Sequence, residues 1–310
     1  MPLTKLSALC RITPKIKYNY LVSAISFQAV FKMTKRNWII TGVSSGFGYE
    51  MTRLLLARGQ HVIGTVRKIE KVKHLIEQYP DLFHVEILDM TDIASVHQFI
   101  RQIFEKYKTI DVVINNAGYG LFGAAEELSD AEVDHIIATN LTGSIAVIRS
   151  ALPFMRKQGY GRIIQMSSYG GQVAFAGNSL YHATKWGIEG FCESVAQEVA
   201  PFGIGVTIVE PGGARTEFRY KSAVVAKPIN AYDGTPAHAF QKMLDPANGL
   251  APGDPVRMAT RIIESVDINP APLRIILGSQ AHRATINVLE KRLADFEKQK
   301  NDAASTDFPA

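Results

Sequence analysis

The hydrophobic pattern of this chain switches repeatedly between two periods. Short apolar, β-branched runs at 38–40, 61–66, 83–88, 110–114, 162–166, 205–209 and 273–277 predict strands. Between them, apolar residues recur every three or four positions. Over 93–107 this places Ile93, Val96, Ile100, Ile103 and Phe104 on one face, as in a helix packed on a core. Helices are also expected over 46–58, 70–78, from Ser129 onward, through Tyr181 and Lys185 to about Phe202, from Asp254 to Val266 and over 283–298. Ser129 with Glu132 forms a capping box, and Asp254-Pro255 pairs an N-cap with a residue suited to the first helical position. The run 110–114 is nearly all apolar, which marks a strand covered on both faces.

Strand and helix alternating over short connections predict one α/β domain over 37–300, a doubly wound parallel β-sheet with helices on both faces. Two stretches break the rhythm. Asn140, Thr142, Gly143 and Ser144 interrupt the helix that Ser129 opens, which predicts a kink or a functional polar spot. Residues 212–253, rich in Gly, Pro and Ala, make an insertion too long for a plain connection and are expected to form a substrate loop. Residues 301–310 read as a frayed tail.

Charge changes this picture at one end only. The chain has 310 residues and a formal net charge of +5, yet seven of its 34 Lys/Arg lie in residues 1–36, which hold no acid. The body keeps 27 basic against 29 acidic residues, so no nucleic-acid-binding surface is indicated. The extension 1–36, outside the core, has three readings. It is a mitochondrial-type presequence poor in Arg, a membrane anchor built on 21–31, or a stretch upstream of a start at Met33. The apolar run is too short to span a bilayer, so the third reading, or a disordered tail, is preferred. Cys10 and Cys192 fit no ligand or redox spacing, and the eight His form no ligand pair. A reduced, cytoplasmic protein without a bound metal is expected.

Three short motifs carry chemistry. Thr41-Gly42-Val43-Ser44-Ser45-Gly46-Phe47-Gly48 follows the first strand and opens its helix, where glycines allow a pyrophosphate to approach and the helix N-terminus favours its charge. The second strand ends in Val66-Arg67 with no acid; Arg67 suits a ribose 2′-phosphate, so NADP(H) is the expected cofactor. Tyr181 and Lys185 lie one helical turn apart, where a cation would lower the phenol's pKa, and Ser168 follows an apolar strand.

Together with Asn115-Asn116-Ala117-Gly118, Asn140 and Pro211-Gly212, these motifs resemble, in order and spacing, the short-chain dehydrogenase/reductase family with its Rossmann fold. The likeness covers roughly 37–280 and leans toward members related to 17β-hydroxysteroid and retinol dehydrogenases. It implies Tyr181 as general acid or base, Lys185 lowering its pKa and holding the nicotinamide ribose, and Ser168 orienting the substrate carbonyl. Asn140 would hold a water in a proton relay. Asn116, Ala117 and Gly118 would line the cofactor, Asp89 its adenine, and Pro211, Gly212 and Thr216 its nicotinamide end. The implied reaction interconverts a carbonyl and an alcohol on an apolar small molecule, in a homodimer or homotetramer. An NADP(H) sensor without turnover is the alternative; it would need no proton relay. His182 and Cys192 read as packing residues, and Phe175, Phe218 and Tyr220 as candidate pocket walls.

Overall fold

The computed structural model describes residues 35–308 apart from positions 221, 243, 246 and 248. The three readings of the N-terminal extension fall almost wholly outside these described residues.

In chain order the elements begin β1 (Asn37–Ile40), α1 (Gly46–Ala57), β2 (His61–Val66), α2 (Lys73–Gln78), β3 (Phe83–Ile87), α3 (Ile93–Tyr107), β4 (Val112–Asn115) and β5 (Leu121–Phe122). A long helix follows in three parts: α4 (Asp130–Ile137), a π-helical turn (Ala138–Thr142) and α5 (Gly143–Gln158). Then come β6 (Gly161–Met166), α6 (Ser179–Val199), β7 (Ile204–Pro211), α7 (Glu217–Tyr220), β8 (Val224–Val225) and α8 (Pro236–Lys242). The chain closes with α9 (Pro255–Ser265), β9 (Arg274–Leu277), α10 (Ser279–Glu297) and α11 (Lys300–Ala304).

Seven strands pair in parallel in the order β3-β2-β1-β4-β6-β7-β9. The winding reverses between β1 and β4, the crevice where such sheets bind ligands beyond the strands' carboxyl ends. Every residue of β4 is buried, as its apolar run requires. On one face α3 buries Val96, Phe99, Ile100, Ile103 and Phe104 against a cluster including Val147, Ile148 and Ala151 of α5. Each such side chain contributes about 1.5–3 kcal/mol on leaving water.

The expected helix caps are present. The Ser129 N–H donates to Glu132 Oε2 at 2.9 Å, and Asp254 Oδ1 accepts from the Val256 and Arg257 N–H groups at 2.8 and 3.2 Å. The polar interruption at 140–144 becomes the π turn, and it brings α5 close to the end of β3. A Cβ on Gly143 would lie 2.4 Å from the Met90 carbonyl oxygen. The run Asp130–Gln158 is long and apolar enough to cross a membrane by length and composition. Here Ile136, Ala146, Val147 and Ala151 are buried within the protein.

Two expectations need correction. The segment 212–253 is no plain loop. It carries α7, β8 and α8, and β8 pairs with β5 through Leu121–Val224 and Phe122–Val225. Two-residue strands have too few side chains to show a period. The end of the chain is not frayed throughout, because Lys300–Ala304 is helical; its residues are exposed and so lack apolar spacing.

Candidate active site

The glycine turn after β1 is held from below. Gly42 and Gly46 have φ of +73° and +57°, the left-handed region that side chains avoid. The Asn116 amide donates to the Thr41 and Gly42 carbonyls at 2.9 and 3.0 Å, while Thr41 Oγ1 accepts from the Asn116 and Ala117 N–H groups at 2.9 and 3.0 Å. A Cβ on Gly48 would stand 2.2 Å from the Gly42 oxygen, so the turn closes only on glycine. Above it, α1 follows its N-cap Ser45, which makes no side-chain cap bond, and has no acid in its first turn. Its first N–H groups are suited to an anion.

One cavity of about 1130 Å³ joins this turn to the carboxyl ends of β4, β6 and β7. Gly42, Ser44, Ser45, Gly46, Phe47, Arg67, Asp89, Asn116, Ala117, Gly118, Ser168, Tyr181, Lys185, Pro211, Gly212 and Thr216 all line it. Two residues expected there do not. Gly48 lies beneath the turn, and Asn140 lies behind the loop after β4. Arg67, exposed at the end of β2, occupies one end with Asp89. That carboxyl is held below its ordinary range by the Thr91 backbone N–H and hydroxyl, at 2.9 and 2.8 Å.

At the other end, α6 presents Tyr181 and Lys185, both largely buried. The Tyr181 ring packs between Phe122 and Phe218, with centroids 6.1 and 6.0 Å away. Lys185 Nζ donates to the Met166 carbonyl at 3.0 Å and lies 5.6 Å from the centre of the Tyr181 ring. The net shift of the phenol in this arrangement is upward. Burial pushes the Tyr181 phenol up to about 12, against the opposite pull of the Ser168 hydroxyl. Burial likewise brings the Lys185 ammonium down to about 8, while Glu189 acts in the opposite sense. Loss of water is the largest cause of both shifts.

Asn140 is tied to the loop after β4. Its side chain accepts the Tyr119 N–H at 3.0 Å and donates to the Tyr119 carbonyl at 2.8 Å. The amide thus clamps the loop after β4. His182 is buried and lowered to about 4 by that burial, and Cys192 is buried with its thiol pushed up to about 12. Both behave as packing residues. Phe175 and Phe218 line the cavity, as do Phe122, Phe240, Leu244 and Leu250, four residues the sequence pattern did not single out. The Tyr220 side chain lies outside the described residues.

Among the described residues no group of three or more His, Cys, Asp or Glu is placed to hold a metal ion.

Residues 36–224 match the family described as short chain dehydrogenase. The chain belongs to this family. A short-chain dehydrogenase from Streptomyces avermitilis superposes with a TM-score of 0.82 at 36% identity, covering 89% of this chain and 99% of that one. Oxidoreductase BOA17 of Botryotinia fuckeliana is 37% identical over 263 residues, 84% of this chain and 95% of the relative. The structure of ElxO with NADP bound is more distant, with a TM-score of 0.65 at 27% identity over 79% of this chain and 96% of that one. These likenesses establish a short-chain dehydrogenase with the Rossmann fold and an oxidoreductase ancestry.

Proposed function

We propose that this short-chain dehydrogenase is an NADP(H)-dependent oxidoreductase that interconverts a ketone or aldehyde with the corresponding alcohol. One observation carries the reading: Ser168, Tyr181 and Lys185 line the same cavity as the glycine turn and Arg67. A proton donor at one end and an anion cradle at the other suit a reaction that moves a hydride and a proton together.

The residues fit a phosphorylated dinucleotide. The uncapped N-terminus of α1 faces a pyrophosphate, and Gly42 and Gly46 let the backbone approach it. Arg67 offers a fork of donors to a 2′-phosphate, where an acid would repel it. The NADP carried by ElxO supports this choice. Asp89 would meet the adenine, and Pro211, Gly212 and Thr216 the nicotinamide end. When bound, the nicotinamide supplies or accepts the hydride.

The chain itself handles the proton. A phenol raised to about 12 is protonated at neutral pH and suits a general acid that donates to the substrate oxygen during carbonyl reduction. Ser168, whose hydroxyl pulls the Tyr181 pKa down, would donate to the same oxygen and stabilise charge developing there. Lys185 keeps a positive charge beside the pair. Phe122, Phe218, Phe240, Leu244 and Leu250 wall the remaining space with apolar surface, which suits an apolar substrate.

The test is NADPH consumption by the purified full chain across a panel of ketones and aldehydes of increasing apolar size. Turnover rising with apolar size is expected. Binding of NADPH without turnover of any member would replace the enzyme by a sensor.

A further inference from the structure

Successive turns of α6 engage successive residues at the end of β6. Tyr181 meets Ser168, Lys185 meets the Met166 carbonyl, and Glu189, one turn further on, meets Ser167. The Glu189 carboxylate is 3% exposed and yet makes three side-chain bonds. Oε1 accepts the Ser167 hydroxyl at 2.5 Å, and Oε2 accepts from the Gln172 amide and from Arg274 Nη2, the latter at 3.1 Å. Ser167 and Gln172 bracket the loop that carries Ser168, so one buried group grips both its ends. Within that loop, Ser168 Oγ accepts the Gly170 N–H at 3.1 Å. The fit leaves no slack, since a Cβ on Gly171 would stand 1.9 Å from Glu189 Oε1.

Burying a carboxylate is costly unless it is paired, and a hydrophobic residue would fill this space more simply. Here the pairing is elaborate. Arg274 on β9 also bonds Glu193 of α6 and Glu210 of β7. Glu210 is pushed up to about 7, first by burial and then by Glu189. The titratable and charged groups around Lys185 are Tyr181 and Glu189 on its own helix, with Tyr169 on the loop after β6 acting on Tyr181 and with Glu193, Glu210 and Arg274 behind Glu189.

We propose that Glu189 is a positioning residue for the reaction, gripping the Ser167–Gln172 loop so that Ser168 faces Tyr181, with its carboxylate one helical turn from Lys185. The grip acts through Ser167, and the charge acts directly on Lys185. The inference rests on the proposed roles of Ser168, Tyr181 and Lys185. It predicts two separable effects. Removing the charge but not the shape lowers the pH at which Lys185 titrates. Removing the Ser167 hydroxyl loosens Ser168 without moving that titration.

The experiment uses the full chain labelled with [13Cε]lysine, with the Lys185 resonance assigned by Lys185→Met. The Lys185 midpoint should move to lower pH in Glu189→Gln and stay in place in Ser167→Ala. In Ser167→Ala, kcat should fall severalfold with KM for NADPH unchanged. An unmoved midpoint in Glu189→Gln, or wild-type kcat in Ser167→Ala, overturns the proposal. Should Glu189→Gln fail to fold, the Ser167→Ala kinetics decide alone. A wild-type protein without turnover would instead refute the enzymatic reading, while the lysine titration still judges the charge effect.

Discussion

Lys185 reaches across to the end of β6, where its Nζ donates to the Met166 carbonyl at 3.0 Å, instead of pairing with the Tyr181 hydroxyl directly. An ammonium held this way, in a site that lowers it from 10.5 to about 8, costs the fold stability. A shift of that size corresponds to roughly 3 kcal/mol. The sign follows from the depressed value: the cost is fully present below about pH 8 and disappears as pH rises toward the unfolded value of 10.5. Lys185→Met removes it, offset by about 1–3 kcal/mol for the Met166 carbonyl left without its donor. The variant should therefore melt no lower than wild type at pH 7, while losing about 100-fold or more in kcat. A clearly lower melting temperature at pH 7 would show that Lys185 stabilises the fold.

Arg67 is the basis of the cofactor preference. Arg67→Asp exchanges a charge-assisted partner for a repelling one, so NADPH affinity should fall by at least about 10-fold. NADH affinity should change little. Titration calorimetry with both cofactors checks this, and equal losses for the two would remove the 2′-phosphate argument.

The Asn140 clamp predicts a structural penalty as well as a catalytic one. Asn140→Ala leaves the Tyr119 N–H and carbonyl without the partners at 3.0 and 2.8 Å. Each unpaired group costs about 1–3 kcal/mol when buried. The melting temperature should drop, and cofactor affinity should fall with it because the clamped loop lines the cavity. Asn140→Asp should be no better, since a carboxylate cannot donate to the Tyr119 carbonyl. A melting temperature unchanged in Asn140→Ala would mean that the loop holds itself.

The segment after β8 is latched by a titrating pair. His238 Nε2 lies 2.6 Å from Glu127 Oε1, which also accepts the Ile229 N–H at 2.8 Å. The Glu127 bond raises the His238 pKa above its ordinary 6.5, against burial, with Asp233 at 3.1 Å adding to the rise. Burial works against the Glu127 carboxylate, but the Ile229 N–H, His238 and the Ala124 N–H hold it below 4.5. The histidine's contribution is complete below about pH 6.5 and lost as pH rises through its raised value. The carboxylate's is present above about pH 4.5 and lost as pH falls through its lowered value. Limited proteolysis within 226–242 should accelerate as pH rises through the raised His238 value, and His238→Ala should remove that dependence. Cleavage rates that ignore pH in the wild type would contradict the latch.

Much of the scaffold was legible in the sequence because its strands are buried on both faces and its helices on one. β4 and α3 announce themselves by period alone. The capping box at Ser129 and the N-cap at Asp254 were equally plain, since their partners lie within three residues. What stayed hidden depends on distance in sequence or on loss of water. Asn140 stood out as a polar break, but its partner Tyr119 is 21 positions away. Glu127 and His238 are 111 positions apart, and no local pattern joins them. The spacing of Tyr181 and Lys185 was readable, but not the burial that drives their pKa values apart. That burial comes partly from Phe122 of β5 and Phe218 of α7, far along the chain from Tyr181.

The central claim is that Tyr181 transfers the proton while the rest of the cavity binds the cofactor. Tyr181→Phe keeps the ring packed between Phe122 and Phe218 and removes only the hydroxyl. With a carbonyl substrate found by the panel, kcat of this variant should fall by about 100-fold or more while the Kd for NADPH stays within a few-fold of wild type. A variant that retains near-wild-type kcat would contradict the account.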